Sequence, residues 1–225
     1  MLFACAGTDN TEQKPLKELY AEAYENIDDS NYIEAANKFI EIEASYPSDK
    51  NAPNALMNAA YAQYESENFI DALTTIDRFM RFHPGHVNAP YILYLKGMCF
   101  YRQVSDVRRD PGMSSYALSA FEQLVQRFPN SSYAKNAKNK IVILKNYIAG
   151  KIMYSARRNM KRKNYPVVIT NLQKIILTMQ ETQMIPEALF RLTEAYKAIG
   201  LSEQANSYAA MLKKNFPDNE WSKKL

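Results

Sequence analysis

The chain has 225 residues, of which 47% are hydrophobic, enough to build a continuous core. No run of about 18 apolar residues occurs, which excludes a transmembrane helix. The net charge is +4 but unevenly spread: residues 1–50 hold eleven Asp/Glu against four Lys/Arg, whereas residues 123–180 hold twelve Lys/Arg and no acid.

Taken in chain order, the first feature is Cys5. It follows Leu2-Phe3-Ala4 and precedes Ala6-Gly7-Thr8 and a polar stretch. Leu-x-Ala-Cys before such a linker resembles a bacterial lipobox, whose cysteine becomes lipidated and N-terminal. Only four residues precede Cys5, short of the basic and apolar parts that open a signal peptide. Residues 1–14 read as a tether, and Pro15 stands where a helix begins.

Helix pairs follow at 15–29 with 32–46, 51–67 with 69–82, and 88–104 with 114–128. The second helix of each pair carries one phrase: Ala35, Phe39, Ile42, Pro47; then Ala72, Ile76, Phe79, Pro84; then Ala117, Phe121, Leu124, Pro129. Spacings of i, i+4, i+7 place the apolar members on one helix face. The proline twelve residues after the alanine ends that helix, because it cannot continue the backbone ladder. The segment 105–113 lengthens the third repeat between its helices and reads as a surface loop.

From Ser132 to Lys163 the pattern stays helical, with a break expected at Gly150. This gives an extra helix, 132–149, and then 151–163 paired with 165–179, where Pro166 suits a first turn. That pair carries a degenerate phrase, Val168, Leu172, Ile175, with Gln180 in place of the proline. The last pair, 186–199 with 202–215, restores it as Ala205, Ala209, Leu212, Pro217. Gly200 and Ala205 are expected where neighbouring helices approach closely. A small residue, an aromatic or aliphatic, then Pro, recurring with a period near 34, is the tetratricopeptide signature. The predicted fold is an all-α tetratricopeptide (TPR) solenoid of five helix-pair repeats plus one extra helix. Its N-terminal repeats span 15–130, and the extra helix and C-terminal repeats span 131–220.

In such a scaffold each pair buries its apolar face by stacking on its neighbours, and the first helices line an inner groove. Counting back from the phrases places Tyr20, Tyr24, Met57, Tyr61, Tyr64, Tyr94, Met98 and Tyr101 on that lining. Aromatic and Met side chains suit an extended peptide with apolar side chains; the alternative is that some tyrosines pack between helices. The basic run contains Lys151, Arg157, Arg158, Lys161 and Arg162. It fits an acidic protein partner or anionic lipid headgroups, against the plainer reading of a solvated face. No zinc knuckle, RNP motif or helix-turn-helix joins the charge to suggest nucleic acid.

Catalytic patterns are missing: there is no Gly-x-Ser-x-Gly, Walker loop or dinucleotide glycine fingerprint. His83 and His86 bracket Pro84-Gly85 and read as turn residues, and Cys99 reads as a small buried hydrophobe. Neither a metal nor a cofactor is expected.

Several stretches are similar to a known family: Leu19-Tyr20-Ala21-Glu22-Ala23, Asn31 to Ala36, Ala72 to Pro84, Tyr91 to Gly97, Arg109-Asp110-Pro111 and Phe128 to Ala134. With the lipobox they resemble the BamD (ComL) family of outer-membrane β-barrel assembly lipoproteins. The resemblance implies five repeats, no catalysis and a lipid anchor at Cys5, with the protein on the outer membrane facing the periplasm. It also implies docking to the POTRA domains of the BamA-like barrel subunit through the C-terminal repeats. The N-terminal repeats would engage unfolded barrel proteins, and other assembly lipoproteins would join the complex. The alternative is another periplasmic TPR adaptor, of the YbgF-like kind with cell-envelope partners; the Asp110-Pro111 insert separates the chain from it.

Overall fold

The computed structural model describes residues 14–104 and 112–225. Cys5, most of the tether and the Asp110-Pro111 insert lie outside the described residues. The chain divides into two compact units, with the boundary after Leu95. The first unit contains α1 (Leu16–Asp28), α2 (Tyr32–Ser45), α3 (Ala52–Glu65), α4 (Phe69–Phe82) and the first half of α5 (Ala89–Tyr101). The second contains the rest of α5, then α6 (Met113–Arg127), α7 (Ser132–Lys161), α8 (Tyr165–Thr178), α9 (Ile185–Ala198), α10 (Ser202–Asn215) and a 3-10 turn at Ser222–Lys224.

Each helix packs on the next in sequence: α1 on α2, α2 on α3 and α3 on α4 in the first unit, and α6 through α10 likewise in the second. The repeated phrase is what they bury. Ala35, Phe39, Ile42, Ala72, Ile76, Phe79, Ala117, Phe121, Leu124, Ala205 and Leu212 have no exposed surface. The degenerate copy Val168, Leu172, Ile175 is equally buried. Of the helical members only Ala209 keeps partial exposure, while the closing prolines Pro47, Pro84, Pro129 and Pro217 are exposed.

The second helices all end alike. Their last N–H bonds are made by Tyr46, His83, Phe128, Met179 and Phe216, each outside the helical region with φ between −130° and −138° and ψ between 42° and 58°. A following proline disfavours helical angles at Tyr46, His83, Phe128 and Phe216. Met179 adopts the same conformation before Gln180, so here the proline is dispensable. The Thr182 amide bonds the Met179 carbonyl at 3.0 Å, as the corresponding amide does in the other four turns; what this turn adds is burial of the Met179 side chain and a second bond to that carbonyl from the Thr182 hydroxyl at 2.8 Å.

Four of the five first helices, all but α5, end on a left-handed residue: Ser30 (φ 60°), Glu67 (φ 61°), Lys163 (φ 58°) and Gly200 (φ 80°). The next amide reaches back to the last turn, Asn31 to Asn26 O at 2.8 Å, Asn164 to Asn159 O at 3.0 Å and Leu201 to Tyr196 O at 3.0 Å. This is the Schellman closure, which favours glycine at the left-handed site. Gly200 therefore serves its backbone angle and not a close helix approach: a Cβ added there meets nothing within 4 Å. The glycine that a neighbour does approach is Gly97, whose added Cβ would lie 2.4 Å from the Phe121 ring.

The break expected at Gly150 is absent. α7 is one helix of 30 residues, and the extra helix is its first half. Ser131 caps it, accepting from the Ala134 amide at 3.0 Å. A mid-helix glycine costs about 1 kcal/mol relative to alanine. The buried Ile148, Ala149, Met153 and Ala156, packed into one cluster with α8 and α9, outweigh that.

Candidate functional site

In the first unit the aromatic residues of α1 and α3 lean on neighbouring helices. Tyr20 and Tyr24 stack with centroids 6.2 Å apart, and Tyr24 sets its ring against the edge of buried Phe39 at 5.3 Å. Tyr20 donates its hydroxyl to Asn51 O at 3.1 Å, and Asn58 Nδ2 donates to the Tyr24 hydroxyl at 3.0 Å. Burial, reinforced by the nearby Asp49 charge, pushes the Tyr20 phenol up to about 12, so it stays a neutral donor. Tyr61 meets Tyr32 at 6.4 Å and Tyr64 meets Phe69 at 6.0 Å. Met57, Tyr61, Tyr64 and Tyr94 are half-buried, while Tyr24 is 49% exposed. Of the remaining lining residues, Met98 and Tyr101 belong to the second unit and are half-buried. Tyr101 sits edge-on to Phe121 at 6.3 Å, with Lys140 Nζ 4.5 Å from its centroid. These rings are fixed by packing yet remain partly accessible, which makes rigid contact area available at low entropy cost.

The basic stretch sorts into two kinds of cation. Arg157 Nε donates to Glu187 Oε1 at 2.7 Å, and its Nη2 contacts the other carboxylate oxygen. Arg191 joins the same carboxylate at 2.6 Å. Glu187 is buried at 5% exposure; burial pushes its pKa up, but the hydrogen bonds and charges of Arg157 and Arg191 overcome this and hold it below the ordinary carboxylate value. Arg157 therefore ties α7 to α9. Sequence reasoning missed this because Glu187 lies thirty residues on; the lack of any acid in 123–180 was the signal that a partner had to come from beyond. Lys151 is half-buried with Nζ 6.0 Å from the Tyr147 ring centroid. Arg158, Lys161 and Arg162 are exposed.

His83 and His86 each set a ring against the edge of Phe79, both at 5.6 Å, so they pack the turn. Burial pushes the Cys99 thiol up to about 12, which leaves it an unreactive core residue. Among the described residues no group of three His, Cys, Asp or Glu is placed to hold a metal, and no helix is long and apolar enough to cross a membrane.

Stacked helix pairs that present fixed rings and a concentrated positive surface define a repeat-built binding scaffold. Residues 12–212 match the family described as outer membrane lipoprotein, YfiO, and the chain belongs to this family. It is 36% identical over 210 residues to the outer membrane protein assembly factor BamD of Caulobacter vibrioides, covering 93% of this chain and 69% of that protein. It is 35% identical over 223 residues to the protein of the same name from Neisseria meningitidis serogroup B, covering 95% and 84%. The Rickettsia prowazekii protein of that name is 31% identical over 207 residues, covering 92% and 82%.

Proposed function

We propose that the chain is a non-catalytic assembly factor for outer-membrane proteins and acts at the outer membrane. The observation that carries this is the family match over residues 12–212, with relatives named as assembly factors and not as enzymes. In this reading Cys5 carries the lipid anchor and the protein faces the periplasm. The side chains of Tyr20, Tyr24, Met57, Tyr61, Tyr64 and Tyr94 in the first unit, and of Met98 and Tyr101 in the second, receive unfolded barrel proteins, whose strands alternate apolar residues. The basic face of Lys151, Arg158, Lys161 and Arg162 docks the POTRA domains of a BamA-like subunit. Arg157, paired with Glu187, ties the helix that carries this face to α9. Other assembly lipoproteins complete the complex, and nucleic acid has no part.

Co-purification from solubilised envelopes tests the reading: a POTRA-bearing barrel protein should come down with the chain. Recovery of cell-wall or Tol-type partners alone would favour the YbgF-like adaptor. Expressed behind a complete signal peptide, the protein should be membrane-bound and Cys5→Ser soluble, because several acyl chains anchor stably. Equal retention of both forms after a salt wash would remove the anchor from the proposal.

A further inference from the structure

We propose that the turn between α4 and α5 seats on a lipid bilayer, with Phe82 and Val87 entering the boundary between headgroups and acyl chains. The proposal rests on the lipid anchor assigned to Cys5 above and adds a second membrane contact, made by side chains. Phe82 is 63% exposed and Val87 82%. They flank His83-Pro84-Gly85-His86, a turn closed by the His86 amide on His83 O at 3.1 Å and the Ala89 amide on His86 O at 2.9 Å. Both histidine rings pack on Phe79, so the turn is fixed from inside while its two large apolar side chains are left to solvent.

The repeat itself does not account for this exposure. Two residues before the proline position stand Ser45, Phe82, Arg127, Thr178 and Asn215; three residues after it stand Lys50, Val87, Ser132, Gln183 and Glu220. Four copies are polar at both positions, and this one is apolar at both. Stacking of the helix pairs therefore asks for nothing apolar there. A ring and an aliphatic side chain on a convex turn, beside a cation, have the character of groups that enter the interfacial layer of a membrane.

Two further observations favour a bilayer as the occupant. The first is where the chain enters the first unit. The Tyr46 hydroxyl donates to Lys14 O at 2.9 Å, Tyr20 donates to Asn51 O, and Asn88 Nδ2 donates to Asn54 Oδ1 at 3.1 Å. Lys14, the α2–α3 turn and the α4–α5 turn thus share one edge of that unit. The nine residue steps from Cys5 to Lys14 span at most about 32 Å, so an anchor at Cys5 keeps this edge within reach of the lipid. The second is charge. No Asp or Glu occurs from Arg78 to Ser105, and Arg81 beside Phe82 is exposed. The opposite edge also exposes apolar side chains, Ile33 and Ile70, but an acid follows each, Glu34 and Asp71. Residues 25–34 and 62–71 hold four and three acids and no Lys or Arg. An anionic surface is repelled from that edge and accepted at the α4–α5 turn.

The test couples the full chain through Cys5 to maleimide-bearing vesicles of phosphatidylcholine and phosphatidylglycerol; Cys99 is buried and does not compete. Coupling replaces the acyl anchor, so the result does not depend on whether Cys5 is lipidated in the cell. In a Trp221→Phe background, the fluorescence of Phe82→Trp should be quenched at least about twofold by brominated acyl chains, and that of Ile70→Trp by less than about 1.2-fold. Adding Val87→Ser or Arg81→Glu should each lower the Phe82→Trp quenching by about half or more. Absence of quenching in Phe82→Trp, equal quenching in Phe82→Trp and Ile70→Trp, or quenching indifferent to both added substitutions would overturn the proposal. So would shielding of Phe82→Trp from iodide by a POTRA fragment and not by the vesicles; that outcome gives the turn to a protein partner. Fractionation of Cys5→Ser tests the anchor separately. Quenching with unchanged membrane retention of Cys5→Ser removes the anchor and keeps the turn, and release of Cys5→Ser without quenching removes the turn alone.

Discussion

Glu43 in the first unit and Glu187 in the second are both buried acids that join helices two apart, yet they are served differently. Arg78, on α4, approaches Glu43, on α2, at 2.5 Å and is the one arginine there among the described residues. Glu187 receives two arginines, Arg157 from α7 and Arg191 from its own helix. Elsewhere the first unit places acids in half-buried bridges such as Lys38 to Glu22 at 3.1 Å. The second concentrates cations on a 30-residue helix without acids of its own. The same buried phrase builds both units, so the repeat dictates the core and leaves each surface free to take its own chemistry.

The strongest way to break this comparison is to cut the shared phrase. Phe39→Ala and Phe121→Ala should each cost about 3–5 kcal/mol, since both rings are fully buried. Denaturant titration measures this, and a cost in one unit below half that in the other would show that the phrase is not equivalent in the two. The two buried acids should differ next. Glu187→Ala strands two arginines; because Arg157 is half exposed, the expected cost is about 2–3 kcal/mol, below that of a fully buried pair. The pH dependence follows from the lowered pKa. The ion pair contributes its full stability above the ordinary carboxylate value of 4.5 and loses it as pH falls through the lower folded-state value. Melting curves from pH 6 downward should therefore lose part of their acid slope in Glu187→Gln. An unchanged slope would mean that the arginines do not stabilise the folded carboxylate.

Ala205→Leu sharpens the comparison at the C-terminal end. Ala205 is fully buried at the start of α10, and added methylenes there should cost about 1–3 kcal/mol by overpacking. A melting temperature equal to that of the parent would show that α10 can shift to make room.

Much of the fold was legible because it depends on periodicity. The phrase residues, the pairing order and the ends of the second helices all follow from apolar spacing and from proline geometry. Gly150 misled because a lone glycine signals a break only when packing does not oppose it, and the opposing residues Val168, Leu172 and Leu192 lie on other helices. The end of α8 was obscured for the same kind of reason: the Thr182 hydroxyl adds a bond to the Met179 carbonyl at a turn that has no proline. The helices expected from periodicity do carry the rings and cations named from the sequence. The sequence did not separate Arg157 from Arg158, because adjacent positions on a helix point about 100° apart and only the fold shows which of them meets Glu187.

The smallest expected effect concerns the turns that close the first helices. Four of them share a left-handed residue, but three use a side chain-bearing residue and only the last uses glycine. A Cβ in that region crowds the following carbonyl and costs roughly 1 kcal/mol. Gly200→Ala should therefore destabilise by about 1 kcal/mol even though the Cβ would meet no neighbour, so the whole cost is backbone strain. Lys163→Gly should move the other way, gaining up to about 1 kcal/mol minus the entropy that glycine adds to the unfolded chain. For a chain of this size those changes correspond to roughly 2–4 °C in melting temperature. Opposite signs at Gly200 and Lys163 would establish that the two turns are the same structure built from different residues. If both substitutions destabilise, the Lys163 side chain contributes something at its turn that backbone geometry does not account for.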